Sequence, residues 1–329
     1  MSLTSRTSGS MRQHGKVDGK ECNKLSLPTL SSMTEPASPN SDGLQQLAHV
    51  SRQLGGNKAF VQGGGGNTSF KNDARCMWVK ASGSELAHVS PDQGFVAVDY
   101  TGIRDGLSAC GSEADYTGLV RSAILPAPET SKARPSIEAG FHALLGPCVL
   151  HSHSVLTNLL ACAKEGVALT EAILPQAVWV PYASPGLPVT QSVMAKIIAQ
   201  QALANGIAIL LLQNHGLVVA AHTPDAAWQL HETVNETVRS HFRLPPPVVE
   251  EAPFCAADAE HLLFPDQAVY LGHETLRLSK AGEETQQAYN YLRQTMHELG
   301  LTPNFLPVEE ADFLLNMEAE KYRQKVAKS

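Results

Sequence analysis

Two histidines separated by one residue, His151 and His153 in the stretch LHSHS, have the spacing that two ligands of one metal ion need. On an extended strand, residues two apart point to the same face. A third histidine, His215, stands in LLQNHG at the break between two apolar runs, where strand ends commonly carry sites and Gly216 permits a sharp turn. Three imidazoles with a fourth position left open form the donor set of a catalytic zinc site, whereas a closed structural site usually takes four protein ligands, often cysteines. No cysteine lies close enough in sequence to complete such a cage. Glu138, 13 residues before His151, stands on a predicted helix beside that strand. Next to a cation it could transfer protons or act as an exchangeable ligand. Its other reading is a solvated glutamate favoured by the dipole at a helix start.

A second feature is the run GGGGNTS, Gly63 to Ser69. It lacks the lysine of a Walker loop, and a strand pattern follows it where a dinucleotide fingerprint requires a helix. What remains is a backbone free to approach a ligand closely, whose successive N–H groups can form an anion nest, with Asn67, Thr68 and Ser69 adding side-chain donors. The alternative is a flexible approach to a hairpin with no ligand.

These residues need a scaffold. The 329 residues are 43% apolar and 17% charged, which is ordinary for a globular protein with a sizeable core. A net charge of -7, without basic runs, excludes the electrostatic footprint of a nucleic-acid binder. No long apolar span or lipid motif points to a membrane, and six scattered cysteines without a CxxC pair fit a reducing, cytoplasmic compartment. Residues 1–40 are rich in Ser, Thr, Pro and Lys and are expected to be disordered. Asp18 and Glu21 argue against a transit peptide there.

From Asp42 onward the text is a mixed α/β arrangement. Leu44, Leu47, Val50 and Leu54 give a helical period ending at Gly55 and Gly56, and SFKNDARCMWVKASG reads as a hairpin around Asn72 and Asp73. A helix opened by Pro135 and Ser136 precedes the strand CVLHSHS, and SVLTNLLACAKEG reads as a helix stopped by Gly166. GIAILLLQNHGLVVAAHT supplies two strands, and a long helix follows, capped by Thr223 with Pro224 at its first position. Two further helices lie after position 283. The expected division is therefore an extension at 1–40, a domain at 41–282 and a helical region at 283–329.

In order, GGGGNTS, WVKASGSEL, RPSIE, LHSHS, VPYASPG and LLQNHG resemble the class II aldolase/adducin family over roughly Leu44 to Gly272. RPSIE with the later FPDQAVYLG and MEAEKYRQ is most similar to the aldolase half of bifunctional aldolase/short-chain dehydrogenases, and too few residues follow for the dehydrogenase half. The resemblance implies a three-layer α/β/α fold around a central, mainly antiparallel mixed sheet with added C-terminal helices, usually a homotetramer with sites between subunits. It places zinc, or another divalent metal, on His151, His153 and His215, and the acid/base role on Glu138. It puts a tyrosine given across a subunit boundary at Tyr182, and a phosphate pocket at Gly66, Asn67, Ser82, Gly83 and Ser136, beside which Thr68 is a further candidate donor.

The implied activity is reversible cleavage of a ketose 1-phosphate to dihydroxyacetone phosphate and an aldehyde through a zinc-stabilised enediolate. A sugar-acid phosphate decarboxylase, an epimerase or a dehydratase would use the same metal site, and adducin-like members are non-catalytic binding proteins that lack the histidines. Two departures stand out. Where the fuculose enzymes have two serines before the glutamate, this chain has Ser136 and then Ile137, and Gln213 precedes Asn214 where relatives have alanine or glutamate.

Overall fold

The opening helix, Ser41–Gly56, forms because Leu44, Leu47, Val50 and Leu54 fall on one stripe, and all four are buried in a single cluster. It belongs to a computed structural model that describes residues 41–72, 75–126, 133–200, 206–251, 261–272 and 274–317. The extension expected to be disordered, and most of MEAEKYRQ, lie outside the described residues.

Seven strands follow: β1 (Asn67–Lys71), β2 (Cys76–Lys80), β3 (Phe95–Asp99), β4 (Cys148–Ser152), β5 (Val178–Val180), β6 (Ala208–Leu212) and β7 (Gly216–Ala221). They make one sheet in the order β3-β2-β1-β4-β7-β6-β5, and every pairing is antiparallel except β5 with β6. Side-chain alternation builds two cores on its two faces. Leu150, Ile209, Leu211, Leu217 and Val219 pack under Ser41–Gly56 and the long helix Pro224–His241. Val149, Leu210, Leu212, Val218 and Ala220 pack on the opposite face with Phe141 and Val193, beside a cluster of Met77, Val79, Val96 and Val98. The result is a three-layer α/β/α fold with a mixed, mainly antiparallel sheet. A further core of Leu159, Phe264, Tyr289, Leu292 and Met296 joins the helix Lys280–Leu299 to the helix Val155–Ala161. The boundary expected at 283 falls inside Lys280–Leu299, a continuous helix capped by the Ser279 hydroxyl and ended by Gly300 at φ +68.

Two elements differ from expectation for tertiary reasons. Pro135 and Ser136 do not open a helix. Ser82 donates its N–H to the Arg134 carbonyl and Ser136 donates to that of Lys80, so this segment is held extended beside the end of β2 and the helix begins at Ala139. The helix expected to stop at Gly166 ends at Ala161, because Lys164 and Cys162 exchange backbone hydrogen bonds with Thr302 and Asn304; Gly166 opens the next helix instead. Among the described residues, Cys76, Cys110, Cys148 and Cys162 form no disulfide, and no helix is long and apolar enough to cross a membrane.

The alternation of β4 also sorts its polar residues. Ser152 turns away from the histidines to meet His231 Nε2 at 2.8 Å on Pro224–His241, where Phe60 and Trp228 enclose that ring. Burial lowers the His231 pKa from 6.5 to about 3. Between those values the unfolded chain binds a proton that the folded chain does not, so stability present above pH 6.5 is lost as pH falls toward 3. Urea unfolding at pH 7 and pH 5 checks this: His231→Gln, which keeps a polar group for Ser152 without titrating, should lose about 2 kcal/mol less than wild type over that interval.

Candidate functional site

His151 faces the side of the sheet that carries Val149 and Phe141, and its ring meets Phe141 edge-on. Its Nδ1 donates to the Leu217 carbonyl of β7 at 3.0 Å, which leaves Nε2 to face inward. His153 lies just past the end of β4, and its Nε2 is 3.2 Å from that of His151. His215 enters from the turn between β6 and β7. The ligand atoms of all three histidines lie within 4.8 Å of one another, and all three residues are buried.

The turn carrying His215 differs in detail from expectation. The left-handed residue is Asn214, at φ +52, rather than Gly216. Asn tolerates this conformation, and here its side chain is engaged: Nδ2 donates to the carbonyls of Leu263 and Asn304, while Oδ1 accepts from the Asn304 amide. Gly216 is needed for space, since a Cβ there would sit 2.2 Å from the Ser152 carbonyl oxygen of β4.

Glu138 is at the N-cap position of the helix Ala139–Leu144 and is buried, so the solvated reading is excluded. Tyr116 clamps the turn: its hydroxyl donates to the Ile137 carbonyl at 2.6 Å and accepts from the Gly140 N–H at 2.9 Å. The carboxylate lies 3.3 Å from His215 Nε2 and 3.6 Å from His151 Nε2. Burial pushes its pKa up, but the three imidazoles and the Asn67 amide outweigh that and hold it at about 2.

Asn67 donates Nδ2 to Glu138 Oε2. A carboxylate only accepts, so Asn67 Oδ1 must face the other way, toward His142 Nε2, which therefore carries the proton. His142 Nδ1 then accepts from the Ser69 hydroxyl at 2.7 Å. Burial lowers the His142 pKa to about 3, so the ring stays neutral and the orientation of this chain is fixed.

A narrow cleft opens on these groups. Its lining brings together Gly66, Asn67, Ser82, Gly83, Ser136, Glu138, His153 and His215 from the expected set. His151 is not on that lining but stands behind it in the histidine cluster, and the two other expected residues are elsewhere. Thr68 points to the opposite face of β1, where its hydroxyl meets that of Ser51 at 2.7 Å; the strand alternation that aims Asn67 at the site turns Thr68 away. Tyr182 is bonded within its own chain, its hydroxyl donating to Glu310 at 2.7 Å and its N–H to the Gln213 side chain at 3.1 Å. That second contact gives Gln213 a role: it seats the Tyr182 segment against the His215 turn. Burial, then Glu310, raises the Tyr182 pKa.

The glycine loop is more committed than the sequence implied. Gly63, Gly64 and Gly65 already donate their N–H groups to Glu284, the Tyr270 hydroxyl and Gln62, so these three do not form an anion nest. The sequence reading also missed Lys80, which is buried, lines the cavity and donates to the Gly64 carbonyl at 3.1 Å. The signal was a lysine inside the apolar strand directly before Ser82 and Gly83. It missed Asp266 as well, another lining residue.

The donor set fits a divalent ion. Two nitrogens on one tetrahedral zinc, each at about 2.0–2.1 Å, are roughly 3.3 Å apart, close to the His151–His153 separation. Glu138 Oε1 is buried without a hydrogen-bond donor among the described residues, an oxygen that a cation or a substrate would satisfy. Gly216→Ala should push β4 and β7 apart at the ligands. We expect a loss of about 1–3 kcal/mol in chemical unfolding and substoichiometric zinc by elemental analysis.

The chain is similar in sequence and in fold to known proteins. The family described as Class II Aldolase and Adducin N-terminal domain matches residues 45–242. Uncharacterized oxidoreductase YuxG of Bacillus subtilis (strain 168) is 27% identical over 238 residues, 63% of this chain; the chain spans about a third (32%) of that relative's length. The N-terminal class II aldolase domain of a conserved Thermoplasma acidophilum protein is similar in structure with a TM-score of 0.54 at 23% identity, covering 65% of this chain and all of that one (100%). L-fuculose-1-phosphate aldolase from Thermus thermophilus gives a TM-score of 0.39 at 17% identity, over 60% of this chain and 94% of that one.

Proposed function

Because the chain belongs to the class II aldolase and adducin family, we propose that it is a metal-dependent aldolase cleaving a ketose 1-phosphate to dihydroxyacetone phosphate and an aldehyde. The observation that carries this reading is the placement of the Glu138 carboxylate, 3.3 and 3.6 Å from two of three clustered imidazoles and on the wall of a cavity that also holds Lys80, Asn67, Ser82 and Ser136. His151, His153 and His215 would hold the ion, zinc in our reading. When bound, it supplies Lewis acidity toward the negative charge that develops on substrate oxygens as the carbon–carbon bond breaks.

The chain's own residues do the rest. Glu138 moves the proton at the carbon that loses the aldehyde, and the Asn67 amide on Oε2 leaves Oε1 directed to that work. Ser82, Ser136 and the Gly66–Asn67 turn hold the phosphate, and Lys80 on the same lining adds a positive charge beside them. Fixing the phosphate positions the reacting carbons against the carboxylate and reduces the entropic part of the barrier. Tyr182 acts on the aldehyde oxygen of a neighbouring subunit's site, in a homotetramer working in a reducing, cytoplasm-like compartment.

Turnover is tested with a panel of ketose 1-phosphates and 3-oxo acid phosphates, following triose phosphate and carbon dioxide. Triose phosphate is expected; carbon dioxide without it would replace the aldolase reading by the decarboxylase one. His151→Ala should abolish both bound zinc and turnover, and unchanged values for both would sink the enzyme reading. Glu138→Gln and Tyr182→Phe should each be nearly inactive, yet mixing the two unfolded chains and refolding them should restore part of the activity. No recovery would place Tyr182 outside the neighbour's site.

A further inference from the structure

We propose that Asp266 is the positioning residue for His153, an orienting carboxylate that fixes which nitrogen of that ring faces the ion; this rests on the reading of the three histidines as a metal site. Asp266 Oδ2 lies 3.0 Å from His153 Nδ1, and both residues are buried. A proton on Nδ1, the nitrogen nearest that carboxylate, leaves the lone pair on Nε2, which lies 3.2 Å from His151 Nε2. His151 is oriented in the same sense, through Nδ1 to the Leu217 carbonyl. The two ligands thus differ in their supports: a neutral carbonyl for one and a carboxylate for the other. A carboxylate acceptor raises ligand basicity as well as fixing the tautomer.

The local sequence FPDQ holds Asp266 in place. Phe264 is buried in the core shared with Tyr289 and Leu292, and its extended backbone makes it the N-cap of the helix Pro265–Leu271. Pro265 takes the first helical position, where its missing N–H removes nothing. Gln267 reaches back, its Oε1 accepting from the N–H groups of Leu263 at 2.6 Å and Phe264 at 3.2 Å. The first turn is therefore fixed on both sides of Asp266. Gly65 closes over the contact: a Cβ at that position would lie 2.7 Å from Asp266 Oδ2 and 2.8 Å from His153 Nδ1. The backbone of the glycine loop thus lies directly against the His153–Asp266 contact.

Asp266 also completes a charge balance. The carboxylates of Glu138 and Asp266 match the two charges of a dication held by three neutral imidazoles, which favours its burial, and the buried Lys80 on the same wall adds a positive charge for an anionic substrate. Position 266 lies beyond the 45–242 span that matches the family, so a residue outside that span orients a ligand within it.

Full-length wild type, Asp266→Asn, Asp266→Ala and Gly65→Ala are stripped of metal and titrated with Zn2+ against a chromophoric chelator. Unfolding midpoints of the metal-free proteins are taken in parallel. Zinc affinity should fall about 10-fold in Asp266→Asn and toward about 100-fold in Asp266→Ala, with Gly65→Ala weakened in the same direction and the metal-free Asp266→Asn midpoint near that of wild type. Nitrogen-15 spectra of metal-free protein should show one His153 tautomer, protonated at Nδ1, in wild type and a mixture in Asp266→Ala. Equal zinc affinity in wild type and Asp266→Asn together with an unchanged His153 tautomer in Asp266→Ala overturns the proposal. Failure of wild type itself to bind Zn2+ overturns the metal reading beneath it, a different result that the same titration distinguishes. If Asp266→Ala does not fold, Asp266→Asn decides.

Discussion

Three imidazoles and a carboxylate lie within a few ångströms of one another at the end of β4, all of them buried. Burying such groups is unfavourable unless each has a partner of suitable charge and direction, and much of the surrounding structure supplies those partners. Leu217 and Asp266 take the outward nitrogens of His151 and His153. Asn67 takes one oxygen of Glu138 and is itself held by His142, which leans on Ser69. Each contact restricts the next, so the inward-facing atoms keep one arrangement. The bonded atoms of this network rigidify the site, and the one Glu138 oxygen without a donor among the described residues is where a further ligand would be accepted.

The supports come largely from one side of the chain. Segments after position 260 meet four separate parts of the site: Asp266 at His153, Tyr270 and Glu284 at the glycine loop, Asn304 at the turn bearing His215, and Glu310 at Tyr182. The helices there are built on their own apolar core around Tyr289 and Met296, which docks them on Val155–Ala161. They act as a brace whose polar edge faces the histidine cluster and its neighbours. The glycine loop in particular owes its shape to them, since two of its N–H groups end on Glu284 and Tyr270.

What could be read in advance was whatever depends on local period. The strand alternation of LHSHS, the helical stripe from Leu44 to Leu54 and the Thr223 cap all follow from spacing and side-chain chemistry that a short window contains. The same alternation, applied strictly, would also have turned Thr68 away from Asn67. What could not be read depends on contacts far apart in the chain. Extended pairing of residues 134–136 with the end of β2 overrode a helix start, and Thr302 to Asn304 cut short the helix before Gly166. Nothing in its local window marks Asp266, which the fold sets against a histidine more than a hundred positions earlier.

The position of His151 at the join of β4 and β7 has a mechanical consequence. His151 pairs with Val218, and Ser152 pairs with Leu217, so the strand bearing His151 and the one His215 precedes are already hydrogen-bonded neighbours. An ion bridging them would close a ring that the sheet has closed before it arrives. Cross-links stabilise chiefly by restricting the unfolded chain and do so most when they span otherwise open loops. A cation held by these histidines would find that gain largely pre-empted, because the two strands are already paired by the sheet.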